Sequence, residues 1–104
     1  MSKRLELIEK MIAGGSVDPF HWYARAMELR SLGRLEDAMG AFDDVRSKFP
    51  DYVPTYLMAG QVAVQLGDAA RAKTWLSGGV TVATARGESH ALSELRAALG
   101  ALDA

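Results

Sequence analysis

Residues 18–50 read DPFHWYARAMELRSLGRLEDAMGAFDDVRSKFP, and residues 52–84 read YVPTYLMAGQVAVQLGDAARAKTWLSGGVTVAT. Displacing the first stretch by 34 positions onto the second brings like onto like: Trp22 on Tyr56, Ala26 on Gly60, Leu32 on Leu66, Gly33 on Gly67, Ala38 on Ala72 and Phe42 on Leu76. A period of this length governs the reading of everything else, because repeated supersecondary units stack into one continuous core.

Each unit divides at its glycine. Trp22, Ala26, Leu29 and Leu32 mark one helical face before Gly33; Leu35, Ala38, Met39, Phe42, Val45 and Phe49 mark another after it, at spacings of three and four. Asp18-Pro19 is a helix start: a carboxylate able to accept orphan backbone N–H groups, then a proline whose fixed φ suits the first helical position. Pro54 repeats that signal. Gly33 and Gly67 stand where a helix hairpin needs a left-handed residue, which glycine adopts without the Cβ penalty of about 1–2 kcal/mol. In the second helix acids come early (Glu36, Asp37) and bases late (Arg46, Lys48), in the sense the helix dipole favours.

These residues resemble the tetratricopeptide-repeat (TPR) pattern W-x-x-L-G-x-x-Y, then A-x-x-x-F, then P. The first unit supplies Trp22, Ala26, Leu29, Gly33, Ala38, Phe42 and Pro50; the second supplies Tyr56, Gly60, Ala63, Gly67, Ala72 and Leu76. The resemblance covers roughly residues 19 to 86 and implies an all-α, antiparallel helix-hairpin stack, a TPR-like α-solenoid. Two departures stand out. Arg25 occupies a position where the family usually has an apolar residue, and Thr84 replaces the closing proline of the second unit, so that its last helix is expected to run past the usual stop.

Outside the motif the helical period continues. Leu5, Ile8, Met11 and Ile12 form a stripe that Gly14-Gly15 ends; in the 34-residue register this segment resembles the second helix of a decayed earlier repeat. Ala91, Leu92, Leu95, Ala98, Leu99 and Leu102 form a stripe beside polar Ser93, Glu94 and Arg96, similar to the solvating helix that closes TPR stacks. About six helices are therefore predicted, near 2–13, 19–32, 35–48, 54–66, 69–85 and 88–101. The whole chain, 1–104, is expected to form a single domain: an N-terminal helix (2–13), repeats at 19–52 and 53–86, and a capping helix within 87–102.

Composition limits the function. The chain has 104 residues, 49% hydrophobic and 24% charged, the balance of one globular domain. A net charge of -1 offers no general attraction for phosphate backbones or anionic lipid, so neither nucleic acid nor membrane is an expected partner. There are no cysteines, which removes thiolate chemistry and Cys-ligated zinc. Glu6 and Glu9 interrupt the start before a signal-peptide core could form, and the apolar stretch from Tyr52 to Leu66 is too short to span a bilayer, so a cytoplasmic location is expected.

Catalysis lacks its parts. His21 and His90 are 69 positions apart near predicted helix starts and read as ordinary, partly exposed histidines. Asp43-Asp44 with Glu36 and Asp37 lack a loop that could wrap a cation and read as a solvated face. Gly14-Gly15 reads as a helix stop, and Gly79, 34 positions after Val45, as a site of close helix contact rather than a phosphate loop. Trp22 is expected in the core and Trp75 against the closing helix. No enzyme activity, cofactor or metal is expected.

Binding remains. The resemblance implies that the first helix of each repeat lines a concave wall, whose outward residues are the usual ligand contacts: Phe20, Tyr23, Ala24, Met27, Arg30 and Ser31 on one helix; Leu57, Met58, Gln61, Val64 and Gln65 on the other. The repeats that clamp a partner's terminal carboxylate use Lys, Arg and Asn there, and only Arg30 carries positive charge here. Tyr23, Met27, Leu57 and Met58 would instead offer an adaptable apolar surface, with Arg30, Gln61 and Gln65 also expected among the partner contacts. The expected role is a non-catalytic adaptor binding a peptide or helix of a partner protein. The alternative is a homodimer formed through the same surface, and closure of that surface by the chain's own helices also stays open.

Overall fold

A computed structural model of the chain describes residues 2–103. Six α-helices follow one another among them: α1 (Lys3–Ala13), α2 (Pro19–Ser31), α3 (Leu35–Lys48), α4 (Pro54–Gln65), α5 (Ala69–Arg86) and α6 (Ser89–Leu102). The chain divides into two compact units, one ending at Phe49 and the other beginning at Pro50. The turn after Phe49 is tied to the second unit: the Tyr56 hydroxyl donates to the carbonyl of Pro50.

In the first unit, α2 packs chiefly on α3, and α1 on α2. The local signals work as the residue types require. Asp18 caps α2 by accepting from the Phe20 N–H, and Pro19 takes the first turn. At the other end Gly33, with φ of 76°, lets its own N–H reach the Arg30 carbonyl and the Arg34 N–H reach that of Leu29. That pair of bonds satisfies carbonyls the helix cannot. Ala38 and Phe42 of α3 are fully buried, with Ala26 and Leu29 of α2 also in the core.

Trp22 differs from expectation: it is half-buried, at the margin of this core. Its ring meets Phe49 edge-on at 6.3 Å, Arg25 and Lys48 lie over it at 5.2 and 4.8 Å, and its indole N–H donates to the Ser16 carbonyl at 3.0 Å. A buried indole needs an acceptor, and the loop carbonyl supplies one only at the edge. Arg25, the departure from the repeat pattern, is accommodated by the same ring and by Asp44, with which it forms an ion pair.

In the second unit, α5 packs against α4 and α6. Two glycines permit the close approach. A Cβ on Gly60 would stand 2.6 Å from Leu76 Cδ2, and one on Gly79 would stand 2.6 Å from Tyr56 Cβ and 2.7 Å from Leu95 Cδ2. Gly79 is therefore a packing residue, as its place in the repeat implied. Trp75 is buried, and the ring it meets is Tyr56 of α4, at 6.0 Å. With threonine at 84 in place of proline, α5 continues through 18 residues to Arg86 and stops at Gly87 in the left-handed region.

Candidate functional site

The first helices of the two repeats, α2 and α4, hold the seven residues expected to contact a partner. On α2, Tyr23, Met27 and Arg30 follow at i, i+4 and i+7 and so share a stripe beside the face that α3 covers. All three are half-buried. The Tyr23 ring packs at 6.3 Å on Phe42, which holds the aromatic side chain in place from below. Phe20 is 53% exposed and Ser31 is also exposed. Ala24, expected on the same wall, is buried instead, next to Ile8 and Met11 where α1 runs alongside α2.

On α4, Leu57 and Met58 are half-buried, while Gln61, Val64 and Gln65 are exposed. Spacings of three, four and seven place them on one strip. Tyr56, Ala59, Gly60 and Ala63 take the buried side. A helix with one face in water normally carries charge there. Between Pro54 and Gln65 α4 has no charged residue, yet its outer strip is accessible. That strip offers aliphatic and thioether surface edged by two primary amides.

The other chemistry-bearing residues are engaged in structure. His21 shares a 2.7 Å hydrogen bond with the Ser16 hydroxyl through Nδ1, and His90 lies beside Glu94 on the exposed surface of α6. The acids of α3 are ion-paired as well as solvated: Asp37 with Arg34, Asp43 with Arg46, Asp44 with Arg25. No group of three or more metal-ligating side chains occurs among the described residues, and no helix among them is long and apolar enough to cross a membrane.

Two features escaped the sequence reading. The first is a matched pair of anchors: Trp22 donates to the carbonyl of Ser16, and Tyr56 to that of Pro50, each six residues upstream and 34 residues apart. Each repeat thus uses the polar atom of its leading aromatic to hold the loop that enters it. The second is an open groove between α1 and α2 lined by Leu7, Met11 and Phe20. A signal for it existed in the 34-residue register, where Leu7 and Met11 correspond to Ala41 and Val45.

The fold and these faces define a class, the helix-hairpin repeat proteins. No family model matches the sequence, and no curated protein matches it either. Solved structures do. A tetratricopeptide repeat domain protein from Salinibacter ruber is 31% identical, over 83% of this chain and 87% of its own, with a TM-score of 0.78. At 21% identity, a protein from Bordetella parapertussis aligns over 99% of this chain and 90% of its own, with a TM-score of 0.84. PcrH of Pseudomonas aeruginosa, in complex with the chaperone binding region of PopD, is 17% identical over 95% of this chain and 75% of its own, with a TM-score of 0.87. The chain belongs to the tetratricopeptide-repeat family.

Proposed function

We propose that this protein is a non-catalytic interaction module that binds a peptide or helix of a partner protein through the accessible strips of α2 and α4. The contact residues are Tyr23, Met27 and Arg30 on α2, and Leu57, Met58, Gln61 and Gln65 on α4. The observation that carries the reading is the uncharged yet accessible strip of α4, since leaving aliphatic surface in water without charge around it suits a face that is covered in use. Met27 and Met58 add side chains that mould to irregular partners. That PcrH has been captured with a segment of PopD supports a protein as the occupant.

Self-association through the same strips is the competing use, and one variant serves both readings. Met27→Glu with Leu57→Glu sets two carboxylates into the contact, where desolvating unpaired charge costs several kcal/mol, enough to abolish micromolar association. The variant is expected to keep its helical circular dichroism and its melting temperature while losing a partner that the wild type retains in pull-downs from native extract. Loss of a dimer in sedimentation, with no partner lost, would instead assign the strips to self-association. A variant that unfolds, or that retains partner and oligomeric state alike, would remove the proposal.

A further inference from the structure

In the 34-residue register α1 is the counterpart of α3 and α5, the second helices of the two hairpins. Those helices bury four equivalent positions: Ala38, Ala41, Phe42 and Val45 on α3, which packs on α2; Ala72, Trp75, Leu76 and Gly79 on α5, which packs on α4. The same positions on α1 are Arg4, Leu7, Ile8 and Met11. Of these only Ile8 is buried. Leu7 is 61% exposed and Met11 42%, and the Arg4 side chain is 71% exposed.

Together with Phe20, His21 and Ala24 of α2, these four residues line an open groove of about 270 Å³. Six large apolar side chains are exposed to this degree among the described residues; Leu7, Met11 and Phe20 line this one groove, and Val17 is three positions from Phe20. Scattered apolar residues need no explanation, but convergence on one recess does. In the complete hairpins the equivalent face is buried against the first helix of the same hairpin, whereas on α1 the packing of α2 buries Ile8 and leaves Leu7 and Met11 open.

The charge around the groove selects the occupant. Lys3 and Lys10 stand one helical turn to either side of Leu7, and Arg4 lines the recess itself. Lys3 and Lys10 have no ion pair among the described residues, and Arg4 has only a 3.6 Å contact with Glu28. No carboxylate lines this recess. Glu6 and Glu9, the acids of α1, line other hollows, beside Leu32 and beside Arg25.

We propose that the α1–α2 groove binds an acidic amphipathic helix of a partner protein, seated as a first helix sits on the second helix of a hairpin. Its apolar stripe contacts Leu7, Met11 and Phe20, and its carboxylates flank Lys3, Arg4 and Lys10. This surface is built around α1; on α2 it adjoins the Tyr23–Met27 strip through Phe20 and Ala24, and it takes no residue from α4. An anionic bilayer would meet the same cations, but a flat surface leaves the recess between the two helices unfilled, whereas a third helix packs into such a recess at ordinary interhelical spacing.

The test uses the full chain and fluorescence anisotropy with two labelled synthetic helical peptides of roughly 14 residues, long enough to match α2. Both carry Leu at positions i, i+3, i+7 and i+10; one has Glu on both flanks of that stripe, the other Lys. The Glu peptide is expected to bind, with the Lys peptide weaker by about tenfold or more. Leu7→Glu with Met11→Glu should reduce Glu-peptide affinity by a similar factor at an unchanged melting temperature, whereas Leu57→Glu should leave it intact. Lys3→Glu with Lys10→Glu, both at exposed positions, should reverse the preference between the peptides, which keeps the proposal testable if the Leu7 and Met11 variant fails to fold. Equal binding of both peptides, binding of neither, undiminished binding by a folded Leu7→Glu, Met11→Glu protein, or binding only to phosphatidylserine vesicles would each overturn it.

Discussion

Gly40 and Gly79 sit inside helices, and their environments give the same substitution opposite signs. Replacing a helical glycine with alanine gains roughly 1 kcal/mol of propensity where space allows. Around Gly40 of α3 a Cβ would meet nothing within 4 Å, so Gly40→Ala is expected to stabilise by about that amount. At Gly79 a Cβ would press on Tyr56 Cβ, which is attached to the α4 backbone and cannot swing aside. Overpacking of this kind costs about 1–3 kcal/mol and commonly exceeds the propensity gain. Chemical denaturation of the two variants should therefore move the midpoint upward for Gly40→Ala and downward for Gly79→Ala. A Gly79→Ala protein as stable as the wild type would mean that α4 and α5 are not in close contact there.

Among the elements, α6 shows what a helix packed on one side contributes. Leu95 is almost fully buried and meets the Gly79 position of α5, while Leu92 and Leu99 are half-buried beside it. The remaining face, with Ser93, Glu94 and Arg96, is exposed. The helix therefore covers an apolar surface of α5 and presents polar side chains on its other face, and we propose that it acts as a cap. Truncation before Gly87 should leave that surface in water and produce aggregation or partial unfolding, seen by light scattering and circular dichroism. A truncated chain that stayed soluble, monomeric and equally stable would remove the capping role. The length of α5 belongs to this scale too: threonine at 84 leaves its backbone N–H free to bond, and the helix proceeds to the next glycine.

At the scale of the molecule, each unit holds about half of a short chain, a size at which a core on its own is marginal. Expecting the whole chain to melt as a single domain is therefore a proposal about cooperativity, and the sequence provides its probes: Trp22 lies in the first unit and Trp75 in the second. In Trp75→Phe and Trp22→Phe variants, the remaining tryptophan reports one unit while far-ultraviolet circular dichroism reports both. Coincident transitions are expected in each variant. Phe42→Ala, removing a fully buried ring of the first unit at a cost of about 3–5 kcal/mol, should also lower the midpoint read by Trp75. A Trp75 transition indifferent to that change would establish two independently folding units.

The sequence by itself determined the six helices to within a residue or two, the left-handed glycines at 33 and 67, the cap at Asp18-Pro19, the extension of α5 and the buried roles of Ala38, Phe42, Ala72, Leu76 and Gly79. These are legible because their causes are local or repeated: a 3.6-residue period, a cap, a φ that only glycine adopts freely, and a position that recurs after 34 residues. The tertiary structure alone decided how far each apolar residue is covered. Trp22 is drawn to the core margin by the Ser16 carbonyl, Ala24 is buried beside α1, Arg25 is paired with Asp44, and Leu7 and Met11 are open where Ala41 and Val45 are not. The physical reason is that burial belongs to a pair of surfaces. A helical stripe has the same periodicity whether or not a neighbour covers all of it, so α1 reads as an ordinary amphipathic helix until its packing on α2, which buries Ile8 and leaves Leu7 and Met11 open, is seen.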